Sequence, residues 1–168
     1  MLHVCSLSKL PETVATTGAK SLVTLINAEM DVPTPAGIAP GRHLFLAFND
    51  IVDPVAGLIP ASERHIDDLI RFIKAWDRQA PLVIHCWAGI SRSTAGAYVA
   101  ACVLNPDADE YRLAALLRKQ SPSATPNPRI VAMADKHLGR DGRMIDAIRS
   151  IGRGANAFEG TPFVMPID

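Results

Sequence analysis

The sequence predicts an α/β layer fold, with a small, largely parallel central sheet of about four or five strands flanked by helices. Three observations carry this expectation. Short apolar, β-rich runs sit at 2–8, 21–27, 42–48 and 81–86. Helical periodicity lies between some of them, and helical patterns alone dominate the second half. At 168 residues the chain suits one domain, able to bury roughly 70% of its unfolded surface. A core over about 42–138 is followed by a C-terminal helix and irregular tail over about 141–168.

Taken in order, "LHVCSLS" opens as a strand, and the stretch after it has room for one short helix before the second strand, "SLVTLIN". The proline-rich "DVPTPAGIAPG" at 31–41 reads as a loop. "RHLFLAF" and "PLVIHC" are the third and fourth strands. After Ser62, the residues Ile66, Leu69, Ile70 and Ile73 fall on one helical face. Ala95, Tyr98, Val99 and Cys102 continue a second such helix, which Asn105 and Pro106 stop. A third covers about 108–119, with Leu113, Leu116 and Leu117 inward. In "SPSATPNP" at 121–128, Asn127 and Pro128 form an N-cap and first-turn pair for a helix ending at Gly139. The last helix runs from about 141 to Gly152, and "ANAFEGTPFVMP" is expected as an irregular tail on the surface.

Seventeen basic residues balance seventeen acidic ones. No global field draws the chain to nucleic acid or to an anionic membrane, so neither is expected as a partner and any anion must be recognised locally. Cys5, Cys86 and Cys102 form no CxxC pair and have no metal-ligand spacing, so no metal site is expected. So few cysteines suit a reducing compartment, and the chain's opening lacks a basic segment followed by a long apolar one. No apolar run approaches the ~18 residues of a membrane span. A cytoplasmic location is the expectation.

The informative stretch is "HCWAGISRST" at 85–94. Cys86 ends an apolar strand, and Arg92 opens a helix after a loop of five residues. Such a loop aims backbone N–H groups into a concavity, to which the helix dipole adds positive potential. Gly89 permits close backbone approach. The loop of Trp87, Ala88, Gly89, Ile90 and Ser91 can therefore cradle a tetrahedral dianion, with Arg92 gripping two of its oxygens. A cysteine in that cradle is favoured as the thiolate and is placed to attack phosphorus in line. Ser93 can hydrogen-bond the sulfur and favour it as a leaving group, and His85 can orient the loop. The plainer reading, a buried structural cysteine, fits Cys5 and Cys102.

Residues 85–93 resemble the signature H-C-x-x-G-x-x-R-S/T of the cysteine-dependent protein tyrosine phosphatase superfamily, here "HCWAGISRS" without departure. The wider arrangement, over about 42–138, resembles the compact dual-specificity branch by pattern. That resemblance implies a protein tyrosine phosphatase-like fold and a metal-independent phosphomonoesterase, without cofactor, that works through a cysteinyl-phosphate intermediate. It also implies an aspartate as general acid and base on the loop after the third strand. Asp50 in "FND" follows that strand directly but lies 36 positions before Cys86, whereas Asp53 lies 33 before it, nearer the spacing in compact members. Strand context makes Asp50 the better candidate. By the same resemblance Asn127 would position the hydrolytic water or the loop, beside its role as a helix cap.

Relatives acting on inositol phosphates place lysines in the loop, and Trp87, Ala88, Ile90 and Ser91 include none. A singly phosphorylated substrate follows, either a phosphotyrosyl protein, with dual specificity open, or a small phosphoester. Trp87 either lines the cleft or packs beneath the loop. Two rival classes remain: a phosphotyrosine-binding module without turnover, and a thiol sulfurtransferase or arsenate reductase. The intact Cys86, Arg92 and Asp50 count against the first, and His85 with the Arg92–Ser93 pair against the second. "IGRGANA", with Gly152, Gly154 and Ala157, imitates a dinucleotide fingerprint but lacks the preceding strand, so a helix end and turn are expected. Arg140, Arg143, Arg149 and Arg153 are expected on a solvated face.

Overall fold

The computed structural model describes residues 1–167. The chain runs β1 (Leu2–Ser6), α1 (Leu10–Thr17), β2 (Ser21–Ile26), β3 (His43–Ala47), α2 (Glu63–Ala75), β4 (Leu82–Cys86), α3 (Arg92–Leu104), α4 (Glu110–Gln120), α5 (Pro128–Leu138), α6 (Arg143–Ile151) and β5 (Phe163–Met165). The strands form one sheet in the order β3-β2-β4-β1-β5. The first four strands of the chain pair in parallel, and β5 joins β1 antiparallel. The expected α/β architecture with a small, largely parallel sheet is present.

Every residue of β4 is buried, because β4 is inserted between β2 and β1 with helices on both faces. An unbroken apolar run is what such a strand requires. Parallel pairing sends the carboxyl ends of β1, β2, β3 and β4 to the same edge of the sheet. The loops that follow these strands therefore meet there, in the crevice where open α/β sheets bind ligands.

The larger core packs helices α2 to α6 on one face of the sheet. The smaller one lies on the other face, where α1 and the 31–41 loop cover Cys5, Leu22, Ile26 and Val83, with Val32 and Ile38 buried from the loop. α2 buries the four predicted residues, Ile66, Leu69, Ile70 and Ile73. A capping box opens it: the Ser62 hydroxyl accepts from the His65 N–H, and the His65 ring accepts from the Ser62 N–H at 3.1 Å. α3 is buried from Arg92 to Cys102, more than one face's worth, because it runs through the centre of the helical layer. Among the described residues no helix is long and apolar enough to cross a membrane.

Two expectations are corrected. The tail after residue 154 is not merely irregular surface chain. Phe163 and Met165 are buried in β5, whose register puts Met165 opposite Leu2. A three-residue strand is too short to show its period in sequence, and it forms because β1 offers it an edge. The basic face is also only partly solvated. Arg140 is buried, donating to Glu110 Oε1 at 2.7 Å and to the Cys102 carbonyl at 3.0 Å, and Arg143 reaches the same carboxylate oxygen at 3.2 Å. The Glu110 carboxylate offsets the cost of burying Arg140, and it lies far away in sequence.

Candidate active site

Cys86 is the last residue of β4, and Arg92 the first of α3. Between them, the backbone carbonyls are tied outward one after another. Trp87 O accepts from Leu7 N–H at 3.1 Å, Ala88 O from Gly160 N–H at 2.8 Å, and Ile90 O from Thr125 N–H at 2.9 Å. Ser91 O accepts from Ala95 N–H at 3.0 Å and Asn127 N–H at 3.4 Å. In a planar trans peptide the carbonyl and the next N–H point to opposite sides. Outward carbonyls at 87, 88, 90 and 91 thus turn the N–H groups of 88, 89, 91 and 92 inward. One of these, Gly89 N–H, donates to Cys86 Sγ at 3.3 Å.

Gly89 is required twice over. Its φ is +71°, and a Cβ there would lie 2.8 Å from Ser6 N, where the loop presses on the end of β1. Gly160 closes the loop from the other side, since its Cβ would lie 2.6 Å from the Gly89 carbonyl oxygen. The loop is therefore clamped between the β1 end and the segment leading into β5. Sequence reading missed this second jaw, because a lone glycine in "EGTP" carries no signal of what lies against it.

Cys86 Sγ lies 3.1 Å from Ser93 Oγ, and both residues are buried. Arg92, only 4% exposed, donates through Nη1 to Asn27 Oδ1 at 2.8 Å and to the Phe48 carbonyl at 2.7 Å. Its Nε is buried with no hydrogen-bond partner. Half of the guanidinium is fixed by the carboxyl ends of β2 and β3, and the other half is left with unmet donors. A buried donor without an acceptor costs about 1–3 kcal/mol, so this edge suits an anion. Asn27 ends the run "SLVTLIN", and a polar residue at the carboxyl end of a strand beside β4 is the signal that points to it.

Behind the loop, His85 is fully buried and its Nε2 pairs with Thr24 Oγ1 at 2.8 Å. The same hydroxyl meets His43 Nε2 at 2.8 Å, and His43 Nδ1 meets Thr34 Oγ1 at 2.7 Å. Burial pushes the His85 pKa down to about 4, so the ring stays neutral at physiological pH. Burial pushes the Cys5 and Cys102 thiols up to about 12. They are thus poor candidates for reactivity, and both are free and buried.

The cleft above Cys86 is about 800 Å³, lined by the loop, by Asn27, Glu29 and Met30 after β2, by Asn49, Asp50 and Ile51 after β3, and by Leu58, Ala157 and Phe158. Asp50 Oδ1 accepts from Ser91 Oγ and from Asn127 Nδ2, each at 2.8 Å. Asn127 also caps α5, its Oδ1 accepting from the N–H groups of Arg129 and Ile130. One side chain thus faces two ways, the amide oxygen toward the helix and the nitrogen toward Asp50. Asp53 lines a separate hollow with Glu63 and Arg129. Trp87 is 56% exposed and lines the cleft instead of packing beneath the loop.

The family model for protein-tyrosine phosphatase matches residues 56–128. No curated protein matches the sequence. Among solved structures the chain is similar to human DUSP28, with a TM-score of 0.62 at 18% identity over 90% of this chain and 95% of that one. It is similar to DUSP15, with a TM-score of 0.65 at 16% identity over 89% of both chains. It is also similar to the PTP-2 phosphatase of Cydia pomonella, at 0.61 and 19% identity, over 80% of this chain and 84% of that one. The matched segment spans the Cys86–Arg92 loop, and the chain shares the fold of these phosphatases along most of its length.

Proposed function

We propose that the protein is a protein tyrosine phosphatase, with possible dual specificity, that hydrolyses a singly phosphorylated ester through a cysteinyl-phosphate intermediate. One observation carries the reading: Cys86 sits at the base of inward-turned N–H groups, beside an Arg92 whose Nε is buried and unpartnered. Such a set of donors suits an oxyanion, and a phosphoryl group supplies one.

Cys86 Sγ attacks phosphorus, and the sulfur–phosphorus bond forms as the bond to the ester oxygen breaks. The loop amides and Arg92 hold the three equatorial oxygens as charge spreads over them. Asp50 protonates the leaving oxygen. Its Oδ1 is already occupied by the donors of Ser91 and Asn127, so the acidic proton belongs on Oδ2. In the second step the same carboxylate takes a proton from water as water attacks phosphorus. Ser93 Oγ, 3.1 Å from the sulfur, stabilises the departing thiolate.

The test is hydrolysis of 4-nitrophenyl phosphate with reductant and a metal chelator, wild type beside Cys86→Ser. Turnover in the wild type and its loss in the variant is the expected pair. Turnover that survives the substitution removes the mechanism. The non-catalytic alternative predicts tight phosphotyrosine binding with no turnover in the wild type.

A further inference from the structure

Phe158 is 97% exposed, and the next most exposed aromatic, Trp87, is 56% exposed. Both line the cleft above Cys86, together with Leu58, which is 41% exposed. Large apolar groups held in water around one opening mark a contact surface.

Phe158 is not exposed because its segment is loose. Arg118 donates to the carbonyls of Ile151 and Gly152 at 3.4 and 2.8 Å, fixing the start of the segment. Gly154 N–H donates to Thr125 Oγ1 at 3.1 Å, and Ala155 N–H to the Pro122 carbonyl at 2.9 Å. On the far side, Glu159 Oε1 accepts from Ser6 Oγ at 2.6 Å and also from Ser8 Oγ, and Gly160 N–H holds the Ala88 carbonyl. Only 156–158 lie between the two sets of anchors. They form a short arch beside the loop, with the phenyl ring held out.

The charges of the cleft decide what the ring meets. Its lining carries two carboxylates, Glu29 and Asp50, and one cation, Arg92, which is buried at the floor. An anionic bilayer surface and acidic peptide segments find no exposed cation in that lining to draw them. An uncharged apolar segment of polypeptide needs none.

Resting on the phosphatase reading above, we propose that Phe158, with Trp87 and Leu58, forms an apolar collar that binds apolar side chains flanking the phosphorylated residue of a polypeptide. The collar selects phosphopeptides with apolar neighbours over those with acidic ones.

Two labelled phosphotyrosyl peptides test this, alike except for leucine or glutamate on either side of the phosphotyrosine, with 4-nitrophenyl phosphate as the reference substrate. For wild type the leucine peptide is favoured by about ten-fold in kcat/KM, the worth of partly burying one aromatic ring. Phe158→Ala narrows that preference to about two-fold through KM, and Phe158→Leu keeps most of it. Equal preference in wild type and Phe158→Ala overturns the collar. Faster turnover of phosphatidic acid in phosphatidylcholine vesicles than of either peptide, lost in Phe158→Ala, also overturns it by assigning the surface to a membrane. Binding of the labelled peptides reads the collar without turnover. A tighter leucine peptide with no hydrolysis of any substrate sinks the phosphatase reading and keeps the collar, while hydrolysis without peptide preference does the reverse.

Discussion

At the floor of the cleft Cys86 is 2% exposed, and the carbonyls of the loop are tied outward to four different parts of the chain. At the rim, Phe158 and Trp87 stand in solvent, and what is fixed is the Trp87 carbonyl and the backbone on either side of Phe158. The contrast separates two tasks. The floor needs one geometry, because donors must already be aimed where charge develops. The rim needs only to offer apolar surface, which tolerates variation in what it meets. A change at the floor should therefore alter kcat, and a change at the rim should alter KM.

The largest effect that would break this division is expected at Arg92. Arg92→Lys keeps the charge but loses the planar fork, and kcat should fall about 1,000-fold in steady-state assays. A loss confined to KM would place Arg92 with the rim. Asp50→Asn comes next, with kcat lower by about 100-fold and more so for esters with poor leaving groups. Asp53→Asn, in its separate hollow, should stay within about two-fold, and equal losses at the two positions would remove the distinction between them.

Gly160→Ala sharpens the comparison from the structural side. The new Cβ meets the Gly89 carbonyl oxygen at 2.6 Å, so the clamp on the loop must open. Stability in urea should drop by about 1–3 kcal/mol, and kcat should fall with it although residue 160 touches no substrate. Unchanged kcat would show that the second jaw is not needed to shape the floor.

The effect that is smallest at neutral pH is the acid response of His85. Its pKa is about 4 in the folded protein against 6.5 for the free side chain, so protonation is resisted only while the chain is folded. The stability this contributes is present above pH 6.5 and declines as pH falls toward about 4. The slope is at most about 1.4 kcal/mol per pH unit for this one group. His43 and His65, also lowered by burial, add to it with the same sign. In urea titrations at several pH values, His85→Gln should flatten that slope. An unchanged slope would assign the acid sensitivity elsewhere.

The floor was legible because its parts are contiguous: a strand, a five-residue loop and a helix start lie within 85–94. The rim and the clamps were not, because they join residues far apart, such as Ser6 with Glu159 and Asp50 with Asn127. Spacing left Asp50 and Asp53 in contention, and only the path of the chain after β3 sent them to different hollows.

By itself the sequence determined the layered fold, the predicted helix faces, the cap at Asn127, and the Cys86–Arg92 loop, since local periodicity and short-range bonding encode all of these. Tertiary structure alone decided that Asn27 and the Phe48 carbonyl hold Arg92, that Arg140 is buried on Glu110, and that the apparent tail becomes β5. It also decided that Phe158 overlooks the cleft. These depend on which surfaces packing brings together, and a partner a hundred residues away leaves no mark on the local pattern.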